Sequence, residues 1–378
     1  MGRGDAARDA LEPPLLAPDD APWARRIRIT RGVTIEMALF VLITLSSPLT
    51  LPLAAVVDLA LWLRRRKPWM SVRVVLLLWW LALGELHSLV GIARVWAISG
   101  GPLARDTPAR RRRTFELQVR WATRHLAGLR RLCRVHVQVE NDESLGTGPM
   151  IVFTRHASVI DNGLPALLIS RAHGIDLRYV LKSQLQSLPT LDIGARWVPT
   201  CFVRRGSADP AREIERVASL ARNLSGPRDG VLVFPEGTRY TPAKLARLKQ
   251  RPDIGDAALA QLIGELRHVL PPRLGGPLAL LDAAPQAAVV ICAHTGLDRF
   301  HDLRAIWSGE VVGTIVRVRF WRHEANALPT GAEARAAWLY QRWRELDEWV
   351  AGNSCAEPAS TASTTGCPEP ATTATDNV

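Results

Sequence analysis

The 378-residue sequence predicts an α/β protein: a central mixed sheet flanked by helices, preceded by a membrane-embedded helical module. Three observations predict it. Short apolar, β-branched or aromatic runs at 150–153 and 230–234 are each followed at once by polar residues, the pattern of a buried strand that ends in a site loop. Candidate strands and helices alternate between and beyond them. Upstream, residues 37–57 carry no charge and are long enough to cross a bilayer.

Taken in order, residues 1–22 are acidic, rich in proline and without periodicity, which predicts a flexible tail rather than a cleavable signal. Residues 23–113 then form the membrane-associated module. Arg25, Arg26, Arg28 and Arg31 precede the first apolar run, and Arg64-Arg65-Arg66-Lys67 close it. A straight span would put one basic cluster outside. Ser46-Ser47-Pro48 and Pro52 interrupt the run, so a helix that breaks, dips in and returns is expected, with its basic ends on the cytoplasmic side. The second apolar stretch, 74–96, carries Glu85, His87 and Arg94, which lipid tolerates only where they face protein or water. An ordinary buried helical hairpin is the alternative.

Residues 114–350 make the globular domain. Apolar residues at helical spacing predict a helix over 115–132, and alternation predicts a strand over 135–139. Further strands are expected at 150–153, 177–181, 230–234 and 287–292, with helices at 163–169, near 212–223 and over 333–350. From 351 to 378 Ser, Thr, Pro and Gly dominate and disorder is predicted.

Composition narrows the partners. The formal net charge of +12 and pI near 10.4 call for something anionic: nucleic acid, a phosphate-bearing substrate or acidic lipid. No recognisable nucleic-acid-binding fold with interleaved aromatic and basic residues accompanies that charge, so nucleic acid is set aside. The five cysteines contain no C-x-x-C pair, which argues against a disulfide framework or zinc site. His294, Asp298, His301 and Asp302 cluster, yet lack metal-ligand spacing, and no metal is expected. Nothing in the sequence reads out an oligomeric state.

The chemistry sits where the two strands end. His156 follows the first and Asp161 comes five residues later, so the carboxylate can turn back to one ring nitrogen and leave the other as a general base. A surface histidine and a helix-start aspartate that never meet fit the spacing equally well. After the second strand, Gly237 permits a tight turn and Arg239 offers a planar fork suited to phosphate.

Together these stretches resemble the glycerolipid acyltransferases, the family that includes lysophosphatidic acid acyltransferase. The family's H-x4-D motif is matched by His156 and Asp161, and its Phe-Pro-Glu-Gly-Thr-Arg motif is matched letter for letter at 234–239. Between them, Phe202, Val203 and Arg205 are in register with a Phe-Ile-x-Arg motif, and Lys182 lies in a segment similar to the family's Lys-x-x-Leu. The strand at 287–292 lacks the proline usual in the fourth motif. Residues 271–276 are similar to a Pro-Arg-x-x-Gly stretch of one branch.

The resemblance covers roughly residues 135 to 325 and implies a glycerol-3-phosphate acyltransferase-like fold. It implies a membrane-bound enzyme, its site facing the cytoplasm, that moves a fatty acyl group from acyl-CoA or acyl carrier protein to a lysophospholipid hydroxyl. Lysophosphatidic acid is the default acceptor; glycerol 3-phosphate or another lysolipid are alternatives, as is a non-catalytic lipid-binding protein. His156 and Asp161 would be catalytic. Arg205, Glu236, Gly237, Thr238 and Arg239 would bind substrate, Glu236 by shaping its turn. Membrane lipids are the expected surroundings, and no cofactor is implied beyond the acyl donor as co-substrate.

Overall fold

The computed structural model describes residues 21–354 except 104–105, 159, 205, 252–254 and 301–302. The predicted tails fall almost wholly outside these residues, and Arg205 does so too. Seven described strands form one sheet: β1 (His136–Glu140), β2 (Met150–Thr154), β3 (Asp176–Lys182), β4 (Thr200–Val203), β5 (Asp229–Val233), β6 (Ala288–His294) and β7 (Ile315–His323). Their order is β1-β7-β6-β2-β5-β3-β4. Every neighbouring pair is parallel except β6 and β7.

Residue chemistry sets this order. β2, β5 and β6 are buried along their whole length and apolar except at one end each, Thr154, Asp229 and His294, as strands covered on both faces must be, and they occupy the middle. β1 alternates and is partly exposed, and it takes an edge. β7 adds to the predicted strands: Val316, Val318 and Phe320 are buried while Arg317, Arg319 and Trp321 alternate with them on the more open face, a pattern in which arginine hides the strand.

The period of two then builds two cores. Ile151, Phe153, Val231, Val233, Val289 and Ile291 point to one face. There they meet α4 (Pro210–Ser219), α5 (Gly275–Ala283) and α6 (Ala332–Ser354), whose Trp343 is fully buried with its indole N–H on the Leu270 carbonyl at 2.9 Å. Met150, Val152, Leu232, Val290 and Cys292 point the other way, onto Leu126 and Leu129 of α3 (Pro108–Leu132) and onto Leu164 and Ile169.

The N-terminal module differs from the expectation. α1 (Pro22–Arg65) is one continuous helix of 44 residues with Pro48 and Pro52 inside it, so the predicted break is absent. Pro48 leaves the Thr44 carbonyl without its usual amide donor. The Ser47 hydroxyl donates to that carbonyl at 2.7 Å and restores the lost bond. α2 (Met70–Ile98) returns antiparallel, and the buried Asp58 caps its start by accepting the amides of Ser71 and Val72, both at 2.9 Å. Both helices are long and apolar enough to cross a membrane.

α3 joins module and domain. Thr107 caps it and it packs along α2 through small residues: a Cβ on Gly84, Gly91 or Gly128 would strike His125, Leu117 or Trp80. The predicted boundary at 113 therefore falls inside a helix that belongs to both units, and α6 runs four residues past the predicted end at 350. At the other end of the module Arg28 grips the buried Asp192, with Nε 2.9 Å from Oδ2.

Candidate active site

Because β2 lies between β5 and β6 and runs parallel to both, the three chains leave the sheet side by side at their C-terminal ends, where ligands bind in such sheets. His156 follows β2. Its Nδ1 lies 3.1 Å from Asp161 Oδ2. The same oxygen accepts the amides of Ala157 at 2.5 Å and Ser158 at 2.8 Å, and Oδ1 accepts the Ser158 hydroxyl at 2.7 Å. Four donors within five residues make Asp161 the centre of the loop.

Burial alone would push the Asp161 carboxyl up, yet His294, His156 and the Ser158 amide hold it down at about 2. An ionised acceptor requires the proton of His156 on Nδ1 and leaves Nε2 as a base. The His156 side chain is 16% exposed, and its ring rests on Phe234 with centroids 4.5 Å apart. A reactant can reach it.

The second motif forms the neighbouring wall. Glu236 is buried, accepting the His156 amide on Oε1 at 2.7 Å and the Leu270 amide on Oε2 at 2.9 Å. Burial pushes its carboxyl up to about 8, against the pull of those two amides and Arg155. With both oxygens taken by backbone, it ties three chain segments together. Gly237 turns the chain at φ +66°, and a Cβ there would sit 2.9 Å from Arg273 Cδ. Thr238 Oγ1 and the Arg239 carbonyl both accept from Lys244 Nζ, at 3.0 and 2.7 Å. The Arg239 guanidinium is half-buried and makes no hydrogen bond to another described residue.

A third group closes the site from below. Arg155 is fully buried and donates to the carbonyls of His294 at 2.7 Å and His268 at 2.9 Å, and to both oxygens of Asp298. His294 donates from Nε2 to the Arg155 carbonyl at 3.0 Å and lies 3.7 Å from Asp161 Oδ2. Burial lowers its pKa, against the opposing pull of the Asp161 carboxylate. Two of the residues weighed as metal ligands, His294 and Asp298, thus have other partners; His301 and Asp302 lie outside the described residues. Arg155 and Lys244 had no such reading in the sequence, because their partners are 139, 143 and 113 residues away for the first and hidden in side-chain direction for the second.

The structure thus brings His156, Asp161, Glu236, Gly237, Thr238 and Arg239 to one end of the sheet. Arg205 lies outside the described residues; the strand that leads to it, β4, is an edge strand two positions from β5, about 10 Å away. Lys182, exposed at the end of β3, stands between them. An apolar cavity of about 510 Å³ starts beside the loop at Ile160 and Gly163 and runs under α3 past Leu126 and Leu81 to Glu85.

Residues 136–271 match the family model described as Acyltransferase. The chain is also similar to the crystal structure of the 1-acyl-sn-glycerophosphate (LPA) acyltransferase, PlsC, from Thermotoga maritima, at 16% identity and a TM-score of 0.45. That similarity covers 74% of this chain and 97% of that one. The part of the chain that resembles the Acyltransferase family model contains the His156 loop, the Arg239 turn and the strands that carry them.

Proposed function

We propose that this acyltransferase moves a fatty acyl group from acyl-CoA or acyl carrier protein to the free hydroxyl of lysophosphatidic acid, giving phosphatidic acid. The observation that carries the reading is the His156 to Asp161 pair, whose carboxylate is anchored by three further donors, whose ring rests on Phe234 at the start of the arginine-bearing turn, and whose loop continues into the wall of an apolar cavity at Ile160 and Gly163.

The acceptor hydroxyl gives its proton to His156 Nε2 as its oxygen attacks the thioester carbonyl. Asp161 stabilises the imidazolium that forms. The tetrahedral intermediate then collapses, the new ester keeps the acyl group, and the thiolate leaves and takes the proton from His156. No residue is acylated. Arg239, together with Arg205, holds the acceptor phosphate by charge-assisted bonds, and Thr238 adds a donor. The cavity beneath α3 takes an acyl chain.

We place the protein on the cytoplasmic face of the membrane, held by α1 and α2. α1 shows lipid an outward row of Leu42, Leu45, Leu49 and Leu53. At about 66 Å it is more than twice as long as the hydrocarbon is thick. α3, with Arg110 to Arg113, lies along α2, so α2 cannot stand upright in hydrocarbon without drawing arginines in. Both features favour a hairpin lying in the membrane surface.

Purified full-length protein supplied with acyl-CoA should release CoA with lysophosphatidic acid and far more slowly with glycerol 3-phosphate or monoacylglycerol. A preference for glycerol 3-phosphate would change the acceptor. Failure to release CoA with every acceptor in the panel, together with failure of acyl-carrier-protein donors, would favour a lipid-binding protein without activity.

A further inference from the structure

The geometry points to a second lipid site: the groove between α2 and α3 binds the phosphate of an anionic membrane phospholipid, apart from the acyl acceptor. The groove has a volume of about 1240 Å³ and lies against Ser170, Asp176 and Arg228. Asp176 begins β3 and Arg228 immediately precedes β5, so this is the N-terminal end of the parallel strands. His156 follows the C-terminal end of β2, the opposite end of the sheet, about 16 Å away along a five-residue strand. α3 separates the two spaces, with Arg112 and Arg120 toward the groove and Ala122 and Leu129 toward the apolar cavity.

Charge and apolar surface meet in this groove. Among the described residues seven arginines and two carboxylates line it, an excess of five positive charges. Glu116 is taken by Arg112 at 3.0 Å and Asp176 by Arg228 at 3.1 Å. Arg94, Arg113 and Arg171 are exposed and make no hydrogen bond to another described residue. Beside them on the groove wall, Val90 is 61% and Ile98 54% exposed. A soluble anion would satisfy the arginines and leave that apolar wall wet, and an apolar ligand would leave the arginines uncompensated. A glycerophospholipid of net negative charge satisfies both, with phosphate on the guanidinium forks and chains along α2. α2 belongs to the apolar hairpin, which brings such lipids within reach.

The test reads binding, so it stands or falls independently of the acyl acceptor. Full-length protein in a non-ionic detergent is mixed with equal amounts of phosphatidylglycerol and phosphatidylcholine, and lipid retained per protein is counted by native mass spectrometry. Phosphatidylglycerol should be retained preferentially. The triple variant Arg94→Gln, Arg113→Gln, Arg171→Gln should weaken its binding by about tenfold to a hundredfold. Val90→Asp, which keeps every arginine at an exposed position, should weaken it as well. A charge-matched control on the other face of the sheet, Arg335→Gln, Arg342→Gln, Arg344→Gln, should retain lipid like the wild type. Equal retention of the two lipids, or equal loss in the control, would overturn the proposal. Displacement of the lipid by millimolar inorganic phosphate would assign a simple anion site instead, and displacement by coenzyme A a donor site; either result overturns it too.

Discussion

Replacing Asp161 separates its two duties, because Asn and Ala remove different things. In Asp161→Asn the amide oxygen can take the place of Oδ2 and accept the His156 Nδ1–H and the amides of Ala157 and Ser158. The new NH2 then faces the Ser158 hydroxyl, which turns from donor to acceptor. The loop keeps its shape and the tautomer of His156 is kept. What is lost is the charge beside an imidazolium that exists only as the acceptor is deprotonated. A charge-assisted bond exceeds a neutral one by roughly 1–2 kcal/mol, and the loss of attraction at close range adds a similar amount, so the barrier should rise by about 2–4 kcal/mol. That is roughly thirtyfold to a thousandfold in kcat. Asp161→Ala leaves the same donors buried without an acceptor, at about 1–3 kcal/mol each before relaxation, and should lower Tm sharply. Acid unfolding gives a second reading. The folded pKa near 2 lies below the unfolded value, so Asp161 contributes stability that is present above about pH 4 and is lost as pH falls toward 2, on the order of 2–3 kcal/mol. Asn should flatten that limb. Kinetics of CoA release and thermal unfolding on the same preparations check both. An Asp161→Asn protein with wild-type kcat, or one as unstable as Asp161→Ala, would refute the reasoning.

Glu236 should act in the opposite direction with pH. Its folded pKa near 8 lies above the unfolded value, so its contribution is full below about pH 4.5 and declines as pH rises toward 8; Tm should fall between pH 6 and 8, and Glu236→Gln should remove that slope while lowering Tm overall, since its NH2 must face one of two amide donors. Arg239→Lys keeps the charge and loses the fork: the acceptor KM should rise by about tenfold to a hundredfold with little change in donor KM, and an equal loss with monoacylglycerol would mean that the arginine does not hold phosphate. Asp58→Ala uncaps α2 and should cost about 1–2 kcal/mol of stability without changing kcat, as measured by chemical unfolding and CoA release.

Much of this arrangement is legible in the residues themselves. The strands at 150–154 and 229–233 announce themselves because both faces are covered and the runs 150–153 and 230–233 are wholly apolar or small. The loop Arg155-His156-Ala157-Ser158 closes on Asp161 through contacts three to five residues long, which spacing can express. The partner of Glu236 at Leu270 and those of Arg155 at His268, His294 and Asp298 depend on which strands become neighbours, and no local pattern carries that. α1 misleads for a different reason. Proline signals a break, but Ser47 one residue earlier supplies the missing donor and the helix runs on. β7 hides because Arg317, Arg319 and Arg322 make the stretch look like a charged loop until β1 and β6 pair with it.

The measurement that bears most directly on the proposed chemistry is CoA release by His156→Ala in the full-length protein, with lysophosphatidic acid as acceptor and unfolding followed in parallel. Loss of the base should lower kcat by roughly a hundredfold or more while Tm changes little, since the ring is partly exposed and Asp161 keeps its three other donors. Turnover near the wild-type rate in a folded His156→Ala protein would contradict it.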